Sequence, residues 1–248
     1  MAYVAVSALS QAGMVRAHNE DSLVIGPWTL CGTETESPQT LLFPLGTPLV
    51  VAVADGLGGH PGGEVASALV VRRLAKVGPL LNDETAVRAV VDACNEAVYS
   101  AAADNPKLIM MGTTIAGVVV LSEEILTFNV GDSRVFEVTG GLRQTSVDDS
   151  PPLAPGERTT SVVTQTLGGS SEYTAVEAHV SSRPLALGDR YLVCSDGLTD
   201  PVPDKEIDDV LRLHDGGKAA FELWKAAMDA GGPDNITIAL VRVADEVE

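Results

Sequence analysis

Val50-Val51-Ala52-Val53-Ala54-Asp55-Gly56-Leu57-Gly58-Gly59-His60-Pro61-Gly62-Gly63 is the stretch around which the chain is organised. Its apolar, β-branched first half reads as a buried strand. The strand stops at a carboxylate followed by glycines. Beyond them Val65, Ala66, Leu69, Val70, Leu74 and Val77 recur at helical spacing. Asp55 therefore stands at the open end of a strand, a place where ligands commonly bind. Gly56-Leu57-Gly58 superficially matches a dinucleotide loop, but Pro61 occupies the place of the third glycine. Asp55 would also set a negative charge where a pyrophosphate needs donors. A carboxylate beside free carbonyls suits a hard divalent cation instead.

Other carboxylates repeat this placement. Arg190–Cys194 reads as a strand that runs into Ser195-Asp196-Gly197-Leu198-Thr199-Asp200. Asp132 lies in Gly131-Asp132-Ser133-Arg134 between two β-rich segments, and Asp234 precedes a last apolar strand at Ile236–Val243. Glu20 and Asp21 follow the first strand, Tyr3–Leu9, in a polar turn that also carries Arg16. Asp-Gly pairs are ordinary turn residues, yet apolar strands finishing repeatedly in Asp-Gly, rather than Asn-Gly or Ser-Gly, ask for more than turns. Strand-end acids that meet at one edge make an oxygen-rich cage suited to Mg²⁺ or Mn²⁺. Zinc fits less well, because His18, His60, His179 and His214 lack paired ligand spacing and there is no cysteine pair.

Between these motifs a helix is expected from about 84 to 103, where Val87, Val90, Val91, Cys94, Val98 and Ala101 follow one stripe, and Asn105-Pro106 ends it. Thr113–Leu121, Ile125–Val130 and Val135–Val138 read as an antiparallel meander, and Tyr173–Val180 as a further strand. Pro203-Asp204 opens a helix with Ile207, Val210 and Leu211 on one face, and another holds Phe221, Trp224 and Met228. Residues 27–48 look like an irregular surface insertion, and 148–167 like a polar, mobile loop. Strands with helix pairs inserted among them predict an α+β fold: a four-layer αββα sandwich, two antiparallel sheets face to face with helices on the outer faces. The 248 residues are expected to form one domain.

Composition narrows the class. No apolar run approaches the roughly 20 residues that span a bilayer, and Met1-Ala2-Tyr3-Val4-Ala5 lacks the basic start of a signal peptide. Cys31, Cys94 and Cys194 are too few for a disulfide framework, so a reduced, cytoplasmic setting is expected. A net charge of −18 opposes binding to nucleic acid or anionic membranes.

The motifs then match a family. Arg16-Ala17-His18-Asn19-Glu20-Asp21, Ala54-Asp55-Gly56-Leu57-Gly58-Gly59-His60, Gly112-Thr113-Thr114, Gly131-Asp132-Ser133-Arg134, Ser195-Asp196-Gly197-Leu198-Thr199-Asp200 and Gly232-Pro233-Asp234-Asn235-Ile236-Thr237 stand in the order seen in metal-dependent PP2C-type (PPM) serine/threonine phosphatases. The chain resembles the bacterial branch of that family from about Ser7 to Val243. The resemblance implies two Mn²⁺ or Mg²⁺ ions bridged by Asp55, with the Gly56 carbonyl on one and Asp196 and Asp234 on the other. It implies a third, weaker metal site at Asp132 and Asp196. Glu20 and Asp21 would orient the ions' waters, and Arg16 would grip the phosphoryl oxygens. The implied reaction is in-line attack by a metal-activated water. Its implied substrates are proteins phosphorylated by a serine/threonine kinase, and the chain is expected to act as a monomer. A thiolate mechanism is excluded, since the sixth residue after each cysteine is Ser37, Ser100 or Asp200 rather than arginine.

Two departures stand out. Leu57 occupies the position at which eukaryotic relatives place a proposed general-acid histidine, so that role stays unassigned. The loop from 148 to 167 is shorter than the flap usual in bacterial members. A regulatory module that keeps the fold without the chemistry is the alternative reading, as is a phosphatase dedicated to one regulatory phosphoprotein.

Overall fold

The structure, a computed structural model, describes residues 2–58, 62–152, 159–160 and 162–245. In chain order its elements are β1 (Tyr3–Gln11), β2 (Ser22–Ile25), β3 (Trp28–Cys31), β4 (Gln39–Pro44), β5 (Leu49–Ala54), α1 (Gly63–Val77), α2 (Glu84–Asp104), β6 (Gly112–Thr113), β7 (Ile115–Val120), β8 (Glu124–Val130), β9 (Arg134–Glu137), β10 (Arg143–Gln144), β11 (Leu167–Gly168), β12 (His179–Pro184), β13 (Arg190–Cys194), α3 (Asp196–Thr199), α4 (Asp204–Leu213), α5 (Gly216–Asp229) and β14 (Ile236–Ala244). One six-stranded sheet runs β10-β9-β13-β14-β1-β4 and the other β12-β8-β7-β5-β2-β3. Neighbouring strands are antiparallel throughout.

The continuous apolar runs follow from burial on both faces. Leu49, Val51 and Val53 of β5 meet Val4, Val193 and Val241 in the layer between the sheets. Val50, Ala52 and Ala54 of the same strand turn the other way, toward Ala66 and Leu74 of α1 and Cys94 of α2. Across the molecule, Leu192, Cys194, Ile236 and Ile238 pack on Ile207 and Leu211 of α4 and Leu223 of α5. Three apolar layers separated by two sheets make the expected αββα sandwich. Asp83 caps α2, its carboxylate accepting from the Ala86 N–H at 2.7 Å, and the chain leaves that helix at Asn105 before Pro106. No described helix is long and apolar enough to cross a membrane.

Three expectations are corrected. Residues 27–48 are not irregular: β3 pairs with β2 and β4 with β1, each at a sheet edge. Edge strands bury little, so Leu30, Leu41 and Phe43 turn toward the inter-sheet layer and Cys31 toward the helices, and the polar remainder hid the pattern. The strand expected at Tyr173–Val180 begins at His179, where it pairs with β8. Ahead of it α2 holds the backbone without a ladder: Asn95 donates to the Thr174 carbonyl at 2.8 Å and Arg88 to that of Ala178. Finally, β9 does not continue a meander from β8. Gly131, with φ 103°, turns the chain out of one sheet and β9 pairs with β13 in the other. That crossing leaves Asp132 on the seam between the sheets.

The layer over β7 tolerates little extra volume. A Cβ on Gly117 would fall 2.6 Å from the Ala52 Cβ and 2.7 Å from the Phe128 Cζ. Gly117→Ala is expected to lower the unfolding free energy by about 1–3 kcal/mol through overpacking. Urea titration followed by circular dichroism measures this, and an unchanged midpoint would mean that the Phe128 ring yields freely.

Candidate active site

Strands of both sheets end at one rim. β5 delivers Asp55 from one sheet, and β13 runs into Asp196 at the start of α3 in the other. The turn between β8 and β9 adds Asp132, and the turn before β14 adds Asp234. With Gly56, and Arg16 from the β1–β2 loop, these residues line one cleft of about 460 Å³. Acids far apart in sequence thus meet at a common rim.

Each is held by its backbone surroundings. The Asp55 carbonyl accepts from the Thr114 N–H at 2.8 Å and the Thr113 hydroxyl at 2.7 Å, and the Asp55 N–H donates to Thr114 Oγ1 at 3.2 Å. Thr114 Oγ1 in turn meets Ser133 Oγ at 2.8 Å, beside Asp132. At Gly56 a Cβ would lie 2.5 Å from the Gly63 carbonyl carbon, so only glycine lets β5 approach α1 this closely. A Cβ on Gly197 would lie 1.9 Å from the Asn235 carbonyl oxygen, which fixes α3 against the Asp234 turn.

Sequence reasoning quoted Asn235, Ser195 and Thr237 within motifs but gave them no role. Asn235 is buried and ties two loops together: its Oδ1 accepts from the Glu20 N–H at 2.8 Å, and its Nδ2 donates to the carbonyls of Ala12 and His18 at 3.1 and 3.0 Å. The Ser195 hydroxyl donates to Asp21 Oδ2 at 2.8 Å and accepts from the Thr237 N–H at 3.0 Å. The available signal was a polar residue in an otherwise apolar strand or at its end.

Electrostatics set the character of the cleft. Asp55 and Asp196 sit close enough to share a proton, with Asp21 and Asp234 adding their charge. Burial, then repulsion from Asp21 and Asp196, holds the Asp55 carboxyl well above the usual carboxylate range. Burial likewise pushes Asp196 and Asp132 up to about 7 and Asp21 up to about 6. Asp21 Oδ1 and Asp196 Oδ1 are buried without a hydrogen-bond donor. Arg16 reaches the cluster only at its rim, where Nη2 donates to Asp234 Oδ2 at 2.6 Å. Such crowded, donor-starved oxygens fit hard divalent cations. The Cys194 thiol is no rival: burial pushes it up to about 12, and it faces the α4–α5 layer.

Glu20 stands apart from this set. Its Oε1 meets His18 Nε2 at 2.9 Å, and with Glu64 these side chains bring ligand atoms within 4.8 Å of one another beside the start of α1. Leu57 lines the cleft, and His60 lies outside the described residues. Part of the expected flap, residues 153–158 and 161, is also outside them. Its ends are anchored: Arg134 Nη2 donates to Asp148 Oδ2 at 2.7 Å, and Asp149 accepts from the Gly131 N–H at 2.8 Å and Gln165 at 3.0 Å. Val162, Val163 and Thr166 then form one side of the cleft.

The family model described as Protein phosphatase 2C matches residues 44–238. This chain belongs to the protein phosphatase 2C family. It is 33% identical over 258 residues to the serine/threonine protein phosphatase PstP of Mycobacterium tuberculosis, covering 96% of this chain and 45% of that protein. The chain thus spans less than half the length of that relative. Serine/threonine phosphatase stp of Listeria monocytogenes is 32% identical over 251 residues, with 92% of each chain covered. A crystal structure of the PstP catalytic domain in complex with two manganese ions superposes with a TM-score of 0.79 at 31% identity, covering 99% of this chain and all of that one.

For this protein phosphatase 2C chain the raised carboxyls carry a pH signature. Groups at about 6 to 7 when folded, against about 3.8 unfolded, bind protons more tightly in the native state. Their contribution to stability is full below about pH 4 and is lost as pH rises through 6 to 7. Metal-free protein is therefore expected to unfold at lower urea concentration at pH 8 than at pH 5, with Mn²⁺ erasing the difference. Urea melts in EDTA and in Mn²⁺ check this. Asp196→Asn should shrink the slope, which separates the cluster from the acidic surface; equal midpoints at both pH values would contradict the buried charge.

Proposed function

We propose that the chain is a divalent-metal-dependent phosphatase acting on phosphoserine and phosphothreonine in proteins. One observation carries the reading: Asp55, Asp196 and Asp234 converge with Arg16 on a single cleft, where Asp196 Oδ1 is buried without a donor. The names of the mycobacterial and listerial relatives support the activity, and the manganese-bound PstP domain supports the metal.

In this reading Asp55 would hold two Mn²⁺ or Mg²⁺ ions, with the Gly56 carbonyl serving one and Asp196 and Asp234 the other, and Asp132 with Asp196 would offer a third, weaker site. When bound, such ions would supply Lewis-acid chemistry for hydrolysis of the phosphomonoester. Asp21 braces the cage from behind through Ser195, and Glu20 orients water from the rim. Arg16, which meets Asp234 at the rim, would grip the substrate's phosphoryl oxygens, where its planar fork matches two acceptors. Leu57 offers no proton to the leaving alkoxide, so solvent supplies it. The anchored, shortened flap presents Val162, Val163 and Thr166 to residues flanking the phosphoamino acid. Its substrates would be products of a serine/threonine kinase. Three free cysteines fit a reduced, cytoplasmic setting.

Mn²⁺-dependent hydrolysis of p-nitrophenyl phosphate, followed by phosphopeptides, tests the activity directly. Asp55→Asn is expected to cut turnover by about 10²–10³-fold or more. The same substitution should leave the metal-free fold as stable or more so, because it removes a crowded buried charge. Full activity in the purified variant would refute the bridging role. Arg16→Ala should raise KM for phosphopeptides about 10–100-fold, the worth of charge-assisted hydrogen bonds; unchanged kcat and KM would remove Arg16 from the site.

A further inference from the structure

Away from the cleft, the exposed flank of α1 borders a groove of about 650 Å³. Cys31, Val65 and Leu69 form its half-buried apolar floor, and the exposed Arg72, Arg73 and Lys76 form its edge. Glu64 marks the end nearer the catalytic cleft.

The basic edge is out of keeping with its surroundings. The chain holds 34 acidic against 16 basic residues, so carboxylate partners are plentiful. Arg16, Arg134, Arg143, Arg183, Arg190, Arg212 and Arg242 each reach one, and Arg88 reaches backbone carbonyls. Among the described residues, only the arginines at 72 and 73 make neither contact. Spacing adds to the oddity. Arg72 and Lys76 are four residues apart on the helix and Arg73 and Lys76 three, separations at which like charges oppose helix formation. A cation at Lys76, in the last turn of α1, complements the helix dipole. The dipole does not account for the two arginines a turn earlier.

We propose that this groove docks an acidic segment of a substrate protein, carrying aliphatic side chains, at a distance from the phosphorylated residue. The partner's identity as a substrate rests on the phosphatase reading; binding in the groove does not. Gly63 packs against Gly56 at the catalytic cleft. At about 1.5 Å rise per residue, Arg72 to Lys76 lie roughly 14–20 Å further along α1. About four to six extended residues bridge that span. A short peptide suits the patch better than nucleic acid or an anionic membrane. Those extended polyanions would also face the rest of a chain with net charge −18, whereas a peptide meets the basic edge alone.

The test uses a fluorescein-labelled, unphosphorylated peptide in which glutamates flank two leucines, with EDTA present so that no metal in the cleft recruits it. Fluorescence anisotropy should show saturable binding to the wild-type chain. Affinity should fall about tenfold or more in the double variant Arg72→Glu, Arg73→Glu, and also as salt rises from about 50 to about 300 mM. The neutral pair Arg72→Ala, Arg73→Ala should fall between, and circular dichroism checks both folds. Turnover of p-nitrophenyl phosphate should be unchanged in both variants. With the acidic segment placed about five residues from phosphoserine, kcat/KM should drop about fivefold or more in the charge-reversed protein, but not for a phosphopeptide lacking the segment. Equal peptide affinity in wild type and variants would overturn the proposal. So would binding confined to phosphatidylserine vesicles or to RNA. Failure of p-nitrophenyl phosphate hydrolysis with peptide binding intact would strike the phosphatase reading and leave the groove standing.

Discussion

Carboxyl groups crowd together at the end of the sandwich because the strands that carry them are locked by apolar packing on both faces. Asp21 is buried there and Asp55, Asp132 and Asp196 are half-buried, and desolvation is the largest cause of each one's raised proton affinity. An ionised carboxylate held without a partner in such surroundings costs several kcal/mol. The local cations do not relieve this. Arg16 meets Asp234 at the surface, and Arg134 makes its ion pair with Asp148. Protons or divalent cations can supply the missing charge. The crowding that makes the ionised acids costly is what suits the proposed metal role.

Hydrogen bonds convert that crowding into a defined shape. The threonines at 113 and 114 grip the Asp55 backbone, Asn235 joins the Arg16 loop to the Asp234 turn, and Ser195 orients Asp21. None of these residues needs to touch a substrate. They fix how far apart the acids sit. Glycine at 56 and 197 does the same by omission, admitting neighbouring backbone where a side chain would collide.

Much of this was legible before any coordinates. Strands such as β5 and β14, buried on both faces, advertise themselves as unbroken β-branched runs, and helices such as α2 as a regular stripe. The acids were visible because charge at the end of an apolar run is out of place. Elements that escaped share one physical trait: their backbone partners are remote in sequence and their side chains are half in water. β4 is recognisable only through Leu41 and Phe43, and β12 presents Ser181, Ser182 and Arg183 along an edge. The crossing at Gly131 was hidden for another reason, since a turn between two strands does not reveal whether they belong to one sheet. Asn235 and Ser195 were read as motif letters, because a hydrogen bond to a loop two hundred residues away leaves no local trace.

The crossing at Gly131 and the split origin of the acids have a mechanical consequence. Asp55 belongs to one sheet while Asp196 and Asp234 belong to the other, and a mostly aliphatic layer of valines, alanines, leucines and isoleucines lies between them. Aliphatic surfaces resist separation but have little directional grip against sliding. In the proposed function, ions held jointly by Asp55 and Asp196 would act as a rivet through the two plates, and their affinity would become a gauge of how truly the plates are aligned.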